Sequence, residues 1–400
     1  MINVELLSPS GDMECVHTAV RYGADAIYIG GPLLQLRADN VSFSKEAVKE
    51  AVNAAHAANK KLYVTVNSYA SNDELLYVPD YANFLEQAAV DAVIVADLGV
   101  LSLIKKHAPN IPIHISTQAN CVNFETARMY YELGASRVIL GREASIEEIA
   151  VIRAKTPSDL ALECFVHGAM CMSYSGRCLI SSFLTGRSGN RGECTQACRW
   201  EYYLMEQKRP NEFFEIIEDS GHTAILSSHD LNSSSFLDEL YNAGISSFKI
   251  EGRMKSPYYI ATVVNAYRMA IDKTASKEDI EKELLSISHR PYSSGFYFGE
   301  LKKNTFNDGL YHSNGMFAGV ALSDTSDGRL KVMQRNRFKA GDELEILSPG
   351  KIGIPFTVLE ITDENGESIK SAPHPKQTVT INCPISAAKG DIIRLVKNRL

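Results

Sequence analysis

The sequence lacks the features that identify several large classes of protein. No apolar run approaches the ~20 residues that a helix needs to cross a bilayer. The first residues, MINVELLSPS, show no basic start followed by an apolar core, so no signal peptide is predicted. The composition, 45% hydrophobic and 22% charged, excludes a disordered chain and a collagen-like repeat. We therefore expect a globular cytoplasmic protein that does not contact membranes.

Cysteine is scarce, with eight residues in 400, which excludes a disulfide-rich scaffold. Cys15, Cys121 and Cys383 are scattered, whereas the other five lie between Cys164 and Cys198. In a reducing cytosol, clustered cysteines are more often metal ligands or redox groups than structural disulfides. The placement of the cysteines is therefore more informative than their number.

An excess of positive charge is also missing, since the net charge is −7. Residues 1–309 carry 29 Lys and Arg against 38 Asp and Glu, while residues 310–400 carry 12 against 10. An acidic body with a mildly basic end does not by itself indicate nucleic-acid binding, but it is compatible with a local basic site.

Short β-branched runs alternate with helical stretches in the first part of the chain. In Ser44–Asn59, for example, Ser44 is a plausible N-cap, and alanines and valines form an apolar stripe at helical spacing. Strand–helix alternation with nearly unbroken apolar strands predicts a parallel sheet covered by helices. The eight predicted strands are Val4–Leu7, Ala26–Ile29, Leu62–Val66, Ala92–Ala96, Ile113–Ser116, Arg137–Leu140, Leu162–Val166 and Ser246–Ile250.

Eight such units favour an α/β fold with a closed TIM-like (β/α)8 barrel over an open doubly wound sheet. An open sheet would predict GxGxxG after the first strand, where the sequence reads SPSGD. We assign residues 1–310 to the barrel, including a Cys-rich loop at about 168–222, a further strand candidate at Ala224–Ser227, and tail helices at Tyr258–Ala275 and Lys277–Ile287. Alternating short strands then predict a small β-barrel domain over residues 311–400.

Four cysteines of the Cys-rich loop are candidate metal ligands. Six residues separate Cys171 from Cys178, fifteen separate Cys178 from Cys194, and three separate Cys194 from Cys198. Four thiolates from one loop can hold a tetrahedral metal ion or an iron–sulfur cluster. Only the second pair has a spacing near that of a zinc ribbon, so zinc is disfavoured. Cys164 shares a strand face with apolar residues and is predicted to be core.

The same loop is a basic island in an acidic chain. The part of this loop that ends at Trp200 contains four arginines and only Glu193 as an opposing charge; the arginines are Arg177, Arg187, Arg191 and Arg199. Guanidinium groups would stabilise a negatively charged cluster, and they can also hold phosphates. A solvated loop surface is the alternative interpretation for any single arginine.

The active site of a (β/α)8 barrel forms where its strands end. Three arginines at these ends favour a ligand with carboxylates, because guanidinium forks bind carboxylates in pairs. The predicted substrate-binding residues are Arg37, Asn67, Gln118, Asn120, Arg142, Lys249 and Arg253, and the candidate catalytic residues are Glu163, His167 and Glu251. Asp97 and Glu143 also follow strands. The alternative interpretation is structural: Asp97 would cap a helix, and Glu143 would pair with Arg142.

The motifs of common hydrolases are absent. We find no GxSxG elbow and no HExxH helix in the sequence. His167 is close to Cys171 along the chain, but proximity in sequence does not establish the geometry of a catalytic dyad. The residues alone give a peptidase little support.

Several long motifs resemble one known family. The segment ECFVHGAMCMSYSGRCLISS resembles the signature of the collagenase-like peptidase U32 family. The resemblance extends over nearly the whole chain through ELLSPSGD, YGADAIYIGG, HISTQANCVNF, RVILGRE, NRGECTQACRWEY and FKIEGRMKSPYY. Within that family, the chain is similar to the bacterial prephenate-dependent proteins for C5 hydroxylation of the wobble uridine of tRNA.

The resemblance implies an iron–sulfur enzyme that modifies the tRNA anticodon loop with prephenate, a dicarboxylate, as co-substrate. It implies that Cys171, Cys178, Cys194 and Cys198 hold a 4Fe-4S cluster, with zinc as the alternative. An assembly of several copies, or of this chain with a paralogue, is also compatible. Two other functions remain open: a collagenase-like peptidase, and a non-catalytic RNA-binding or assembly factor with a structural metal.

Overall fold

The computed structural model describes residues 2–36, 42–171, 173–200, 204–205, 213–214, 229–299 and 311–396. Twelve strands belong to the described part of the first domain. They are β1 (Glu5–Pro9), β2 (Ala26–Gly30), β3 (Lys61–Val66), β4 (Ala92–Val95), β5 (Ile113–Ile115), β6 (Arg137–Ile139), β7 (Ala161–Ala169), β8 (Leu204–Met205), β9 (Phe213–Phe214), β10 (Asp230–Asn232), β11 (Ser247–Ile250) and β12 (Tyr292–Ser293).

Eight of these strands close into a parallel barrel, which confirms the predicted fold. Strands β1 to β7 pair in chain order, and β11 pairs in parallel with both β7 and β1. Ser247 of β11 is in register with Glu5 on one side and with Glu163 on the other. Most residues of these strands are buried, as expected when helices cover a parallel sheet. Strand β10 adds to β7 in antiparallel orientation, and β12 pairs with β10.

Helices lie between the barrel strands, where the sequence predicts helical stretches. Ser44 caps α2 by accepting a hydrogen bond from the backbone N–H of Ala47, and the apolar stripe of this helix is buried. The helices are α1 (Met13–Arg21), α2 (Lys45–Ala57), α3 (Asn72–Leu75), α4 (Val78–Gln87), α5 (Leu98–His107), α6 (Phe124–Glu132), α7 (Ile146–Lys155), α8 (Ile180–Thr185), α9 (Leu237–Asn242), α10 (Pro257–Asp272) and α11 (Lys277–Leu284).

The two tail helices are each three residues shorter at the C-terminal end than predicted. Helix α10 ends where Lys273 adopts a left-handed conformation with φ of 58°. The candidate strand Ala224–Ser227 lies outside the described residues. None of the described helices combines the length and the apolar character that crossing a membrane requires.

The C-terminal part is a separate antiparallel sheet, as the alternating strands predict. Seven strands pair in the order β17-β16-β21-β13-β14-β20-β18, and β15 pairs with β19. Their bounds are β13 (Gly315–Ala321), β14 (Arg329–Gln334), β15 (Phe338–Lys339), β16 (Glu343–Leu347), β17 (Ile354–Thr357), β18 (Ile361–Thr362), β19 (Ser371–Ala372), β20 (Thr378–Asn382) and β21 (Ile392–Val396).

Buried polar contacts join this sheet to the barrel domain. Arg394 of β21 donates to both carboxylate oxygens of Glu283 on α11, at 2.7 and 2.9 Å. The hydroxyl of Tyr22, next to α1, donates to the carbonyl of Leu347 at 2.6 Å. Removing one partner of a buried ion pair is costly, so these contacts fix the sheet against the outside of the barrel.

Candidate active site at the barrel mouth

A cavity at the carboxyl ends of the barrel strands, here called the mouth, is lined mainly by polar groups. Its charged residues are Arg142, Lys249, Arg253 and Glu251, which gives three cations and one carboxylate. Asn67 and Gln118 also line it. The structure thus places these predicted residues together at one end of the barrel.

Arg253 is held in a fixed position at the edge of the mouth. Its guanidinium donates to the hydroxyl of Thr65 at 2.9 Å and to the side-chain oxygen of Gln35 at 2.7 Å. A Cβ at Gly30 would lie 2.1 Å from the guanidinium, so only glycine leaves room for it there. A cation that is held before the ligand arrives loses less entropy on binding, which favours recognition of an anion.

Arg142 forms one wall of the mouth. Its guanidinium lies 3.3 Å from the Glu251 carboxylate and stacks over the ring of Phe165, with 3.9 Å from the guanidinium carbon to the ring centre. Both partners restrict the planar group to one orientation. Arg142 therefore pairs with Glu251, the residue after β11, while the predicted alternative partner Glu143 bonds elsewhere.

Lys249 lies at the floor of the mouth. Its ammonium group is 3.2 Å from a carboxylate oxygen of Glu163 and 4.3 Å from the centre of the Tyr28 ring. Burial lowers the pKa of Lys249, and the neighbouring Glu163 opposes that change. The ion pair with Glu163 stabilises the charged form of Lys249 at this buried position.

Glu163 belongs to an ionic network inside the barrel. Its second carboxylate oxygen accepts from Arg137 at 2.8 Å and from Ser247 at 3.1 Å, and the side chain is fully buried. Arg137 also contacts Glu5 at 2.5 Å. Burial would raise the pKa of Glu5, but Arg137 lowers it overall. The structure thus places Glu163 beneath the mouth, where it supports Lys249.

Glu5 and Arg137 are partners of Glu163 that were not predicted from the sequence. The available signal was the occurrence of charged residues at the start of otherwise apolar strands. Glu5 begins β1, and Arg137 begins β6. Charged residues in the interior of a barrel must be paired, so such positions point to an internal network.

Two amide side chains at the mouth have carbonyl oxygens that are enclosed and lack a donor among the described residues. They are Oδ1 of Asn67 and Oε1 of Gln118. The Asn67 amide nitrogen donates to Ser116 at 3.0 Å, which fixes that side chain. Enclosed acceptors without a donor are unfavourable, and a bound ligand with a hydroxyl or N–H group would satisfy them.

His167, the second candidate catalytic residue, lies in an aromatic environment behind the strand ends. The side chain is 1% exposed, and Nδ1 is 3.3 Å from the hydroxyl of Tyr267. The rings of Tyr259 and Tyr292 are also within 6.0 Å of its ring. Burial lowers the pKa of His167 to about 3, so the imidazole stays neutral at physiological pH. The structure places Glu251, not His167, at the mouth.

The part of the Cys-rich loop that the structure describes up to Trp200 consists of residues 170–171 and 173–200 and is here called the cysteine loop. It is attached to the mouth through Glu143. One carboxylate oxygen of Glu143 accepts the backbone N–H of Ser175 at 2.8 Å, and the other lies 3.3 Å from the amide nitrogen of Asn120. Gly176 packs against Gln118, since a Cβ at Gly176 would lie 2.0 Å from the Gln118 carbonyl oxygen. Loop and mouth therefore share contacts.

Arg191 provides a second attachment of the cysteine loop. Its guanidinium donates to the carbonyl of Tyr69 at 3.1 Å and to the carboxylate of Glu74 at 3.0 Å. The hydroxyl of Tyr69 in turn donates to the Gln118 carbonyl at 2.9 Å. All three of Arg177, Arg187 and Arg191 are exposed, and Arg191 is engaged with the barrel through these contacts.

The eight cysteines fall into two groups by exposure. The loop cysteines are exposed or half-buried: Cys171, Cys178, Cys194 and Cys198. The other four are buried, and burial raises the pKa of the thiols at Cys121 and Cys164 to about 12. Cys164 is therefore core, as predicted.

The donor set of the loop fits an iron–sulfur cluster in kind and number. Across the described ranges, however, no three His, Cys, Asp or Glu side chains are grouped so that they could hold a metal ion. In the described part of the loop, the four accessible thiols are thus not grouped around a common point where they could bind one metal ion.

Asp97 and Arg37 are the two remaining predicted positions. Asp97 caps α5, because its carboxylate accepts the backbone N–H groups of Gly99 at 2.7 Å and Val100 at 3.1 Å. Capping explains why a carboxylate follows β4. Arg37 lies outside the described residues.

Comparisons with known proteins agree with this architecture. The model of peptidase family U32 matches residues 11–307, and that of the peptidase family U32 C-terminal domain matches residues 313–394. The chain is 36% identical to tRNA hydroxylation protein P of Escherichia coli strain K12, over 96% of this chain and 94% of that one. It is 37% identical to tRNA hydroxylation protein P1 of Bacillus subtilis strain 168, over 94% and 90%.

A third relative acts on a different RNA. The chain is 39% identical to the 23S rRNA 5-hydroxycytidine C2501 synthase of Escherichia coli strain K12, over 90% of this chain and 55% of that protein. With matches to both family models across most of its length, the chain belongs to peptidase family U32.

Proposed function

We propose that this protein is an RNA-hydroxylating enzyme that acts on C5 of the wobble uridine in tRNA. Two similar proteins are named for tRNA hydroxylation, and a third for the synthesis of 5-hydroxycytidine in 23S rRNA. The observation that carries the proposal is the mouth itself, where three fixed cations meet a basic, aromatic loop. Nucleoside analysis of tRNA from cells with and without the gene tests it.

The surface of the cysteine loop suits an unpaired RNA segment. Arg177 and Arg187 are exposed, and so are the aromatic side chains of Tyr174, Phe183 and Trp200. Single-stranded RNA is bound by cations that contact its phosphates and by aromatic rings that stack on its bases. An anticodon loop presents both kinds of group.

Charge reversal tests this surface. Replacing Arg177 and Arg187 by Glu should weaken binding of an anticodon stem-loop and reduce the dependence of log Kd on log salt by about 1.4, since each single-strand phosphate contact contributes ~0.7. The control is Arg128→Glu, because Arg128 is exposed on α6 and pairs with Glu125. Equal affinity of the double variant and the wild type would contradict the proposed surface.

The co-substrate is proposed to be a small dicarboxylate such as prephenate, bound in the mouth. Lys249, Arg253 and Arg142 supply three positive charges, against the carboxylate of Glu251 that lines the cavity and that of Glu163, which pairs with Lys249 beneath it. Hydrogen bonds between a charged donor and a carboxylate contribute ~1.5–3 kcal/mol each, so two fixed guanidinium groups would select a dicarboxylate over a monoacid. The unpaired amide oxygens of Asn67 and Gln118 would accept from a hydroxyl of the same ligand.

The cofactor is proposed to be a 4Fe-4S cluster held by Cys171, Cys178, Cys194 and Cys198. Replacing C5–H by C5–OH adds one oxygen atom and removes two electrons from the base, so an oxygen source and an electron acceptor are required. When bound, the cluster would supply a site for electron transfer. The accessibility of these four thiols, in contrast to the four buried ones, supports them as the ligands. The ligand spacing disfavours zinc.

Metal analysis of anaerobically purified protein tests the cofactor. We expect about four iron atoms and four acid-labile sulfides per chain. Cys178→Ser should abolish cluster loading because a hydroxyl is a poor ligand for soft metals. Cys383→Ala is the matched control, since Cys383 follows β20 and is buried in the core of the C-terminal domain. Colourless, iron-free protein that still hydroxylates tRNA would contradict this assignment.

A peptidase is the alternative that the family name suggests. The buried position of His167 argues against it, because an imidazole enclosed by three tyrosines and bonded to Tyr267 cannot serve as a base for Cys171. Cleavage of gelatin by metal-depleted protein at an undiminished rate would support the peptidase. Unmodified nucleosides together with tight tRNA binding would support the non-catalytic alternative.

A further inference from the structure

A second cavity lies beside the mouth on the other side of Arg142. It has a volume of about 590 Å³, within the range of ~300–1,000 Å³ that is typical of small-molecule sites. It is lined by the start of the cysteine loop, the loop after β6, the first turn of α7 and the segment around Phe296. Arg142 lines both cavities, so ligands in the two would be neighbours.

The two cavities carry opposite charge. The charged residues of the second cavity are Glu143, Glu147, Glu148 and Arg142, three carboxylates against one cation. A dicarboxylate or a phosphate group would therefore be repelled from the second cavity and attracted to the mouth. The second cavity instead suits a neutral group that offers N–H donors to carboxylate oxygens.

The remaining surface of the second cavity suits a flat ring. Tyr174 is 66% exposed, Phe296 is half-buried, and the thioether side chain of Met170 is 6% exposed. Aromatic side chains bind nucleobases by stacking on their faces. Tyr174 precedes Ser175, which Glu143 holds, so the ring is placed at the rim by a fixed backbone.

We propose that the second cavity receives the target pyrimidine after it has left the stack of the RNA loop. This inference rests on the proposed function and adds where the base is bound. The neutral uracil ring offers its N3–H to the carboxylates and its face to Tyr174. The phosphates of the same nucleotide remain outside the cavity, over Arg177. An enzyme that modifies a base must take it out of the stack, and a pocket beside the co-substrate site allows this.

A fluorine label reports the position of the base. An anticodon stem-loop with 5-fluorouridine at the wobble position is bound to the full-length protein and observed by ¹⁹F NMR. We expect a resonance that shifts on binding to the wild type. Ser173→Phe, which fills the cavity, and Tyr174→Ala, which removes the ring, should each return the resonance to the position of an exposed base. Tyr131→Ala, at the opposite end of the barrel, is the control and should keep the shift.

The outcomes separate this inference from the proposed function. If the stem-loop binds the wild type and both cavity variants with the same shifted resonance, the second cavity does not hold the base and the inference is wrong. If the stem-loop does not bind the wild type at all, the proposed function fails first. If Ser173→Phe abolishes binding of the dicarboxylate and leaves the fluorine shift intact, the cavity is the site of the acid and the inference is overturned.

Discussion

Removal of the Arg253 guanidinium gives the most informative test of the mouth. This group is 5% exposed and is held by Thr65 and Gln35, so it faces the cavity in a fixed orientation. A hydrogen bond to a charged group contributes ~1.5–3 kcal/mol, and 1.36 kcal/mol corresponds to a factor of ten. Arg253→Ala should therefore weaken binding of the dicarboxylate by about ten- to hundredfold, while Arg253→Lys, which keeps the charge but loses the fork, should lie between.

Calorimetric titration of the dicarboxylate into each variant measures this loss. Circular dichroism shows whether the fold is intact, because Arg253→Ala also leaves Thr65 and Gln35 without this partner. Cluster loading should be unchanged, since Arg253 lies outside the cysteine loop. A dissociation constant within twofold of wild type in folded Arg253→Ala protein would refute the assignment of the mouth as the carboxylate site.

The remaining predictions concern the loop and the core. Gly176→Ala should detach the cysteine loop and speed its proteolysis, because the new Cβ meets the Gln118 carbonyl. Gly186→Ala is the control: its φ of 72° is similar, but the space around it is open, so the rate of proteolysis should not change. Because the pKa of His167 is about 3 in the folded protein and ~6.5 when unfolded, the unfolded state takes up the proton first as pH falls. In urea titrations, the unfolding free energy of the wild type should therefore fall by about 2 kcal/mol more than that of His167→Gln when the pH is lowered from 7 to 5. An equal decrease in both proteins would contradict this.

The fold could be predicted because each of its elements carries a local pattern. Strands such as β3 are continuous apolar runs, and α2 shows an N-cap followed by an apolar stripe. The rule that barrel sites lie at the strand ends then placed Asn67, Arg142 and Arg253 at one cavity without knowledge of any distance.

The partners of those residues could not be predicted, because they depend on register and on the path of the loop. Thr65 and Gln35 reach Arg253 from two other parts of the chain, with sequence separations of 188 and 218 residues. Glu143 is adjacent to Arg142 in sequence, yet it bonds Ser175, because the cysteine loop returns across the strand ends. His167 follows the inward-facing Phe165 by two residues, so regular alternation would place it at the mouth as well. The pairing of β7 with β11 is irregular between these two residues, and His167 lies behind the strand ends instead.

Nucleoside mass spectrometry of tRNA tests the central claim most directly. The gene is expressed in a host whose tRNA lacks 5-hydroxyuridine and its derivatives, either as wild type or as Arg253→Ala. The proposed function predicts 5-hydroxyuridine at the wobble position with the wild type and a strong reduction with the variant. Wobble uridine that stays unmodified in cells containing folded, cluster-loaded wild-type protein and the dicarboxylate would contradict it.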